Sequence, residues 1–546
     1  MSILGKKWAL NYERKAKESL WAGLLNARKI EDPGTFFSSS SAADLHDPFL
    51  FKDMEKAVER LQKAIHGKER IVVYGDYDVD GTSGAALLVH TLRMLGAEVS
   101  YRIPHRRKEG YGLHAHYIEA LALQDVKVLI TVDLGISCAK EVALAQGLNI
   151  DVILTDHHSI PLELPKAFAT LHPKLDEQYP FKELSGSGVA FKLASGLLQK
   201  TNNSDWIPLL TDLASLGTVA DCVPLIGENR ALVKLGLEQM KTTQWEGLRA
   251  LLMNAGAWEK GSFTTHTIGF QVGPRLNASG RMDDPLWTVQ TLLAGGLEAH
   301  QKAAKLEDFN RERQDLMLSM QMEAEAILDL EAPLLLASGV GWPSGLVGLI
   351  AGRLQEKYGK PTFILEDQGE TLTGSARSLP GFHAVNALSI VSDLLEKFGG
   401  HELAAGFHLK KENYPAFVER LQAHAAEQFK QNPVESELSL DLALEGQDLN
   451  LKTVAKIQSF APFGVGNPEP LFLLADCEVQ DLAPLKEGSP HLRFTLKKDE
   501  IFVKGIAFNR APDLQRIQNA KEFAVHLELH EWRDKKSLQL RLVDAR

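Results

Sequence analysis

Short apolar runs alternate with helix-like stretches through the first half of the chain. Residues 52–66 carry an apolar side chain every three or four positions, which predicts an amphipathic helix. Four apolar, β-rich runs follow it, at residues 71–74, 99–103, 128–132 and 151–155. Helix-like stretches lie in the gaps, notably at 83–95 and 137–147. This succession of strand, helix and strand is typical of an α/β fold with a doubly wound parallel sheet.

The pattern changes twice in the second half of the chain. No glycine or proline occurs between Gly296 and Pro333, which predicts a connecting helix of roughly 50 Å at the usual rise per residue. A strand-like run at 334–338 and a glycine-rich segment at 341–354 indicate a second α/β region. From about residue 433, apolar and polar residues alternate with a period of two, which predicts a small antiparallel barrel or sandwich.

These changes of pattern predict five segments. They are an N-terminal helical region (1–67), a first α/β domain (68–295), a connecting helix (296–332), a second α/β domain (333–432) and a C-terminal β domain (433–546).

Composition and charge exclude several classes of protein. The chain has 546 residues, of which 44% are hydrophobic and 24% charged, which is typical of a globular, multidomain protein. It has no uncharged apolar run of ~18 residues that could span a membrane, and no apolar signal-like stretch at the N-terminus, so a cytoplasmic location is expected. Its three cysteines lack the paired spacing of a disulfide framework or a thiolate zinc site. The net charge of −11 argues mildly against a nucleic-acid partner.

Three carboxylates follow the first predicted strand at alternating positions. Asp76, Asp78 and Asp80 lead from that strand into a glycine turn and a predicted helix. Side chains at alternating positions of an extended segment point the same way. Three crowded negative charges are unfavourable unless a cation lies among them. The spacing therefore predicts a cation site rather than a solvated acidic loop.

Acidic residues and histidines also end three further apolar segments: Asp133 after 128–132, Asp156, His157 and His158 after 151–155, and Asp221 after 213–220. We expect them at one edge of the sheet, because the carboxyl ends of parallel strands meet there. Carboxylate oxygens with one or two imidazoles suit Mn²⁺ or Mg²⁺ better than Zn²⁺. Two such ions can activate a water and stabilise a displacement at phosphorus. The residues alone thus predict metal-dependent hydrolysis of a phosphoester or phosphoanhydride.

The order of these motifs resembles that of a known superfamily. The segments DYDVDGT, VDLGIS, TDHHS and GTVADCVPL are similar to the successive motifs of the DHH phosphoesterases. Within that superfamily, the chain resembles the RecJ family of single-strand-specific DNA exonucleases. Further RecJ-like segments are GSGVAFKL, GPRLNASGRM, GSARSLPGFHAVNAL, GGHELAAGF and APFGVGNPEPLF. The resemblance extends from about residue 45 to the end of the chain.

The resemblance implies a two-ion centre containing Mn²⁺ or Mg²⁺, with Asp133 as the bridging carboxylate. The implied ligands are Asp76, Asp78, Asp80, Asp133, His157 and Asp221. It also implies that His158 faces the scissile phosphate as a catalytic residue. Asp156 would orient an imidazole from behind.

The resemblance further implies that the second α/β domain is the DHH-associated substrate domain, which grips the 5′ end, and that the C-terminal domain is of the OB type. The implied substrate-binding residues are Arg275, Asn277, Arg281, Ser375, Arg377, Gly399, Gly400 and His401. The basic run at 102–108, flanked by Tyr101 and Tyr111, could guide a single strand towards the metals. Two residues depart from the family pattern: Pro343 where a histidine is usual, and His172 where an asparagine is usual.

The function implied by the resemblance is 5′-to-3′ exonucleolytic hydrolysis of single-stranded DNA to mononucleotides, in recombination and repair. Single-stranded DNA is then the main partner, a helicase and a single-strand-binding protein are further expected partners, and the protein is expected to be a monomer. One alternative is a DHH hydrolase of nanoRNA, nucleotide bisphosphates, cyclic dinucleotides or pyrophosphate. Another is a non-catalytic DNA-binding scaffold. The extra C-terminal domain favours a polymeric substrate, and the complete set of metal-binding residues favours an enzyme.

Overall fold

A computed structural model describes residues 2–15, 17–38, 44–106, 108–431, 437–533 and 535–546. The chain forms two compact units. One contains Met1–Ser41, Pro224–Arg230 and Glu435–Arg546, and the other contains Ala42–Val223 and Ala231–Val434. The predicted N-terminal region of residues 1–67 is therefore divided between the two units.

The N-terminal region is not wholly helical. It contains β1 (Lys7–Leu10), α1 (Leu20–Ala27) and α2 (Pro33–Ser38), followed by α3 (Met54–His66). β1 pairs in parallel with the strand Glu437–Leu440 of the same unit. The prediction of an all-helical region was wrong for β1, because a four-residue strand that pairs only with a distant segment leaves almost no local periodicity.

The first α/β domain is built on five parallel strands. They are β2 (Arg70–Gly75), β3 (Val99–Arg102), β4 (Val126–Val132), β5 (Asp151–Thr155) and β6 (Ala169–Leu171), in the order β3-β2-β4-β5-β6. All neighbouring pairs are parallel. The intervening helices are α4 (Val79–Met94), α5 (Ala115–Leu123) and α6 (Ala139–Gly147).

Successive strand residues face opposite sides of this sheet, and helices cover both sides. Ile71 and Val73 pack with α3 and α4, whereas Val72 and Tyr74 pack with α5 and α6. Both faces are therefore buried, which explains why the strands read as continuous apolar runs. This arrangement confirms the predicted doubly wound sheet, and the carboxyl ends of β2, β4 and β5 lie side by side.

Helices complete the first α/β domain. They are α7 (Gly186–Lys200), α8 (Thr211–Ala220), α9 (Gly227–Gln239), α10 (Glu246–Asn254), α11 (Gly273–Met282), α12 (Leu286–Leu293) and α13 (Gly296–Ile327). A π-helical stretch, Thr267–Val272, runs directly into α11. The long helix predicted over residues 296–332 is α13, which ends at Ile327. Residues 213–220 were expected to resemble the other strand-end segments, but they lie in α8, so Asp221 follows a helix.

The second α/β domain contains β7 (Leu335–Val340), α14 (Ser344–Tyr358), β8 (Thr362–Asp367), β9 (Thr371–Arg377), α15 (Ala384–Ile390), β10 (Leu395–Gly400), β11 (Ala404–Lys410) and α16 (Tyr414–Gln431). The sheet order is β10-β11-β9-β8-β7, with β7 and β8 parallel and the other pairs antiparallel. α14 packs on β8 through Leu346, Ile350 and Ile364. β10 is an exposed edge strand.

The C-terminal domain contains β12 (Glu437–Leu440), β13 (Leu442–Ala443), α17 (Leu451–Gln458), β14 (Phe472–Leu474), β15 (Glu478–Pro484), β16 (Leu492–Lys498), β17 (Ile501–Ala507), α18 (Leu514–Asn519), β18 (Phe523–Trp532) and β19 (Lys535–Ala545). Seven strands form one sheet, β13-β14-β18-β19-β17-β16-β15. The antiparallel prediction is right for most pairs and wrong for β13–β14 and β17–β19, which are parallel. Among the described residues, no helix has the length and apolar character needed to cross a membrane.

Candidate active site

The first motif places its carboxylates where β2 passes into α4. Asp78 caps α4: its Oδ1 accepts hydrogen bonds from the backbone N–H groups of Asp80 (2.9 Å) and Gly81 (3.1 Å). The turn that this cap fixes buries Asp76 and Asp80 in the same region. Asp76 Oδ1 has no hydrogen-bond partner although it is buried. One oxygen of the motif is thus left facing the site without a donor.

The N-terminus of α7 holds Asp80 in place. Asp80 Oδ2 accepts a hydrogen bond from Gly186 N (2.6 Å), and Asp80 Oδ1 accepts one from Ser187 N (2.9 Å). Unpaired backbone N–H groups at a helix N-terminus favour a negative charge. A methyl group on Gly186 would overlap the side chain of Asp133, so only glycine lets α7 approach both carboxylates. The GSG segment therefore serves the site through its backbone.

Asp133 follows β4 in a strained backbone conformation. Its φ of 62° lies in the left-handed region, which non-glycine residues adopt rarely and mostly at functional sites. The side chain is buried, and its Oδ1 has no hydrogen-bond partner. The strained backbone at this position directs the Asp133 carboxylate into the centre of the site.

His157 lies among three of these carboxylates. Its Nε2 is 3.1 Å from Asp133 Oδ1, 3.6 Å from Asp221 Oδ2 and 3.9 Å from Asp80 Oδ2. The nitrogen is buried and makes no hydrogen bond. Asp221 lies at the C-terminal end of α8, so this carboxylate is contributed by a helix, whereas Asp133 and His157 follow strands.

The six predicted ligands form two groups of three, and the contact between Asp133 of one group and His157 of the other joins them. Asp80, His157 and Asp221 make one group, and Asp76, Asp78 and Asp133 make the other; within each, the potential ligand atoms lie within 4.8 Å of one another. A third such group joins Asp133 to both histidines, so Asp133 lies between the two clusters.

The electrostatics of these groups fit bound cations. Burial first, and the neighbouring carboxylates next, raise the pKa of Asp133 well above its usual range. Burial and the charges of Asp80 and Asp78 raise the pKa of Asp221 to about 8. Burial lowers the pKa of His157, which favours the neutral imidazole, the form that binds a metal ion. Unpaired, oxygen-rich groups whose own charges repel one another are a suitable ligand set for two hard divalent ions.

His158 lies beside the shared carboxylate and is held from behind by Asp156. Its Nδ1 donates to Asp156 Oδ1 at 2.8 Å, and Asp156 also accepts from Ile136 N at 2.9 Å. Burial opposes the charged imidazole, but the hydrogen bond and charge of Asp156 outweigh it and raise the pKa of His158. The carboxylate thus fixes Nδ1 as the protonated nitrogen and leaves Nε2 available.

His172 supports the backbone of the histidine pair. Its Nε2 donates to the carbonyl oxygen of His158 at 3.0 Å, and its Nδ1 accepts from Lys174 N at 3.3 Å. Lys174 Nζ donates to the carbonyl oxygen of His157 at 2.7 Å. His172 thus supplies a hydrogen-bond donor to the segment that carries His158.

We expect His172→Ala to lower kcat by about 10-fold or more, the lower end of the loss caused by removing a group that orients a ligand. His172→Gln should retain most of the activity, because its amide nitrogen can occupy nearly the position of Nε2. Steady-state kinetics on single-stranded DNA, with circular dichroism as a folding check, would measure both. Equal losses in the two variants would show that the donor to His158 has no role.

Three arginines adjoin the first motif from different elements. Arg281 on α11 donates from Nη1 to the carbonyl oxygen of Gly345 at 2.8 Å, which ties α11 to α14. Burial, and then the charge of Arg106, lowers the pKa of Arg281 to about 9 and also lowers the pKa of Arg377. Arg106 stacks over the Tyr77 ring at 4.9 Å. Among the described residues, none of these three guanidinium groups pairs with a carboxylate within 4 Å.

Arg377 and Ser375 form the side of this arginine cluster that belongs to β9. Arg377 Nη1 donates to Ser375 Oγ at 3.0 Å, which orients the guanidinium along the strand. Gly348 of α14 lies directly over both side chains, and a methyl group there would crowd them. Unpaired cations around a small, glycine-lined space are suited to an anionic group such as a phosphate.

The other predicted substrate-binding residues lie elsewhere in the same unit. Arg275 is held by Glu307 of α13 and by the carbonyl oxygen of Gln271, so its charge is already paired. Asn277 is half-buried on α11. Gly399 and Gly400 end the exposed strand β10, and His401 follows them at the surface. Arg107 of the predicted basic run lies outside the described residues.

Three regions of the chain match the models of known protein families. Residues 70–218 match the N-terminal domain of the DHH family, 331–427 match the DHHA1 domain, and 440–544 match the RecJ OB domain. The fold and the site therefore define a DHH-superfamily protein that also carries a DHHA1 domain and a RecJ-type OB domain.

Individual relatives narrow this class. The chain is 35% identical over 537 residues to the single-stranded-DNA-specific exonuclease RecJ of Bacillus subtilis, with 96% of this chain and 68% of that protein covered. It is 34% identical to the Haemophilus influenzae exonuclease of the same name, with 91% of each covered. The crystal structure of RecJ from Thermus thermophilus in complex with Mn²⁺ superposes with a TM-score of 0.82 at 29% identity, over 99% of this chain and 79% of that one. The chain belongs to the RecJ family.

Proposed function

We propose that this protein is a single-stranded-DNA-specific exonuclease that uses two Mn²⁺ or Mg²⁺ ions and acts in DNA recombination and repair. It hydrolyses the strand from the 5′ end and releases mononucleotides. Family membership supports the substrate and the reaction. The observation that carries the chemistry is the pair of adjacent ligand groups, in which Asp133 Oδ1 of one group lies 3.1 Å from His157 Nε2 of the other.

The residues of the two groups would hold the ions. Asp80, His157 and Asp221 would bind one, and Asp76 and Asp78 the other, with Asp133 contributing to both. Divalent ions so held supply an activated water and neutralise charge on the scissile phosphate. The chain itself keeps this site dry, since Asp76, Asp80 and Asp133 are almost wholly buried.

His158 is the residue we assign to the reacting phosphate. Asp156 keeps a proton on Nδ1, so Nε2 is the ring nitrogen that can donate to a phosphate oxygen when the ring is charged. The raised pKa of His158 favours that charged form near neutral pH. A donor fixed before the substrate binds stabilises the developing negative charge without having to reorient.

The arginine cluster, Arg106, Arg281 and Arg377, supports hydrolysis from the 5′ end. These three cations lie next to the metal-binding groups and pair with no carboxylate in the described part of the chain, so they could bind a terminal phosphate and set the distance to the first phosphodiester. Such positioning selects one bond at a time. We assign Ser375 and Arg377 to this terminal contact, and Gly399, Gly400 and His401 to the adjacent strand path. Arg275, Asn277 and Arg281 remain the α11 part of the proposed DNA-binding surface.

The wider setting is also a proposal. We propose that the enzyme works as a monomer in the cytoplasm, with a helicase and a single-strand-binding protein supplying and presenting the strand. The OB-type domain, which has a fold that commonly binds single strands, would extend the contact with the polymer.

The test of this function uses four labelled substrates. Single strands labelled at the 5′ or the 3′ end, blunt duplex and a dinucleotide would be incubated with Mn²⁺, with Mg²⁺ or with EDTA. We expect the 5′ label to be released at once as a mononucleotide, and the strand that carries the 3′ label to shorten progressively. No reaction is expected in EDTA. Attack from the 3′ end, or cleavage of the dinucleotide alone, would contradict the proposal.

A further inference from the structure

Tyr111 contacts the catalytic histidine from outside the ligand set. It lies between β3 and α5, and its side chain is 44% exposed. Its hydroxyl is 3.1 Å from His158 Nδ1 and 3.1 Å from the carbonyl oxygen of Asp133. The edge of its ring meets His158 with the centroids 5.4 Å apart. One side chain therefore bridges the strand-end carboxylate and the imidazole beside it.

The proton arrangement at this bridge follows from the partners. The Asp133 carbonyl can only accept, so the hydroxyl proton of Tyr111 goes to it. The contact with His158 is then made by the Nδ1 proton, which the Tyr111 oxygen shares with Asp156 Oδ1 as a second acceptor. Asp156 imposes the same protonation from the other side at 2.8 Å. The contacts of Tyr111 and Asp156 thus both favour the same orientation of the His158 ring, with a proton on Nδ1.

The loop that carries Tyr111 also carries an arginine of the cluster. Arg106 lies five residues before Tyr111, and its guanidinium stacks over the ring of Tyr77, next to Asp76 and Asp78. A second contact fixes the far side of the loop, where the Tyr117 hydroxyl donates to Glu109 Oε1 at 2.6 Å. Glu109 in turn accepts from His105 N at 2.6 Å. Glu109 is therefore bonded to α5 through Tyr117, whereas Tyr111, two residues later, is bonded to the active site.

We propose that the Tyr111 hydroxyl is a positioning group that couples binding of a 5′ phosphate to the alignment of His158. This inference rests on the proposed function. An anion bound by Arg106 would hold the loop against the site, and the loop would hold the imidazole through Tyr111. The terminal phosphate then raises kcat as well as affinity.

The experiment compares Tyr111→Phe with Tyr117→Phe, a matched control that loses a hydroxyl of α5 bonded to the same loop but not in contact with His158. Both would be assayed on a single strand bearing either a 5′ phosphate or a 5′ hydroxyl. For Tyr111→Phe we expect kcat on the phosphorylated strand to fall about 10-fold or more, with KM within about twofold of wild type, as for loss of an interaction made only in the transition state. The ratio of the two kcat values should fall towards one. Tyr117→Phe should keep the wild-type ratio.

Binding measured in EDTA provides a readout that does not depend on catalysis. The fluorescence anisotropy of a labelled 5′-phosphorylated strand should give the same Kd for wild type and Tyr111→Phe. Weaker binding by Tyr111→Phe, equal kinetic losses in the two variants, or an unchanged ratio of kcat values would overturn the coupling. No hydrolysis of single strands by the wild-type protein would instead refute the proposed function itself, so the two failures are distinguishable.

Discussion

Asp133→Asn is expected to lower hydrolysis of single-stranded DNA by at least about 10³-fold, the upper range for losing one group that stabilises transition-state charge. Asp133 belongs to one ligand group and its Oδ1 lies 3.1 Å from His157 Nε2 of the other, so its loss should impair both ions at once. Asparagine tolerates the left-handed backbone at this position, so the fold should persist. Single-turnover assays with saturating Mn²⁺ would measure the rate.

The same variant should change stability in the opposite direction when metal is absent. Asp133 is buried beside other carboxylates that raise its pKa, so in EDTA its negative charge destabilises the folded state. Removing that charge should raise the Tm in EDTA above that of wild type. Adding Mn²⁺ should raise the Tm of wild type strongly and that of the variant much less, because a ligand that binds only the folded state stabilises it in proportion to affinity.

Asp125→Asn is the matched control for this pair of measurements. Asp125 lies just before β4, as Asp133 lies just after it, and its φ of 58° is also in the left-handed region. It is exposed and pairs with Lys127, away from the ligand groups. Wild-type activity is expected for it. An Asp133→Asn protein that kept more than a tenth of wild-type activity would remove Asp133 from the centre of the site.

The parts of the site that the sequence predicts are those that depend on the local pattern of apolar and polar residues. A buried strand is a continuous apolar run, and the residue at which the run ends is visible, so the apolar pattern alone places Asp76, Asp133 and His157 at one sheet edge. The structure brings all six predicted ligands together in two groups. The domain matches place the DHH, DHHA1 and OB domains in the predicted order.

The parts that sequence did not predict depend on contacts between distant elements. Asp221 was expected after a strand-like segment, but that segment is α8, because an apolar run of this length is compatible with a buried helix. Arg275 has the same residue type and motif as Arg281, yet Glu307 of α13 neutralises it. Tyr111 contacts His158 across 47 positions of sequence, and only the fold shows that contact.

The net charge of −11 also shows that the sequence does not reveal how distant residues are arranged in space. The sum argues mildly against a polyanionic substrate, but several carboxylates are buried in the ligand groups, where bound cations would offset them. Arg106, Arg281 and Arg377 form a cluster beside those groups, and no carboxylate of the described residues pairs with them. The distribution of charge, which the composition does not contain, is what suits the site to a phosphate.

Arg377→Gln is expected to abolish the preference for a 5′-phosphorylated strand. Hydrogen bonds to charged groups contribute about 1.5–3 kcal/mol each, so losing this guanidinium should lower kcat/KM on the phosphorylated strand by roughly 10–100-fold. The strand with a 5′ hydroxyl never makes that contact, so its kcat/KM should change by less than about threefold. The loss should appear mainly in KM, in contrast to Tyr111→Phe, because Arg377 binds the terminal phosphate while Tyr111 aligns His158. Steady-state assays of both strands would separate the two effects.

Two further variants make this test specific. Arg377→Lys keeps the charge but not the planar fork that Ser375 orients, and it should recover only part of the preference. Arg420→Gln removes an arginine of the same domain that is exposed on α16 and paired with Asp393, and it should behave as wild type. An equal loss on both strands in Arg377→Gln would mean that the cluster attracts DNA in general rather than binding its 5′ end. An undiminished preference would exclude Arg377 from the phosphate contact, and the polarity of cleavage would then have to come from elsewhere in the substrate domain.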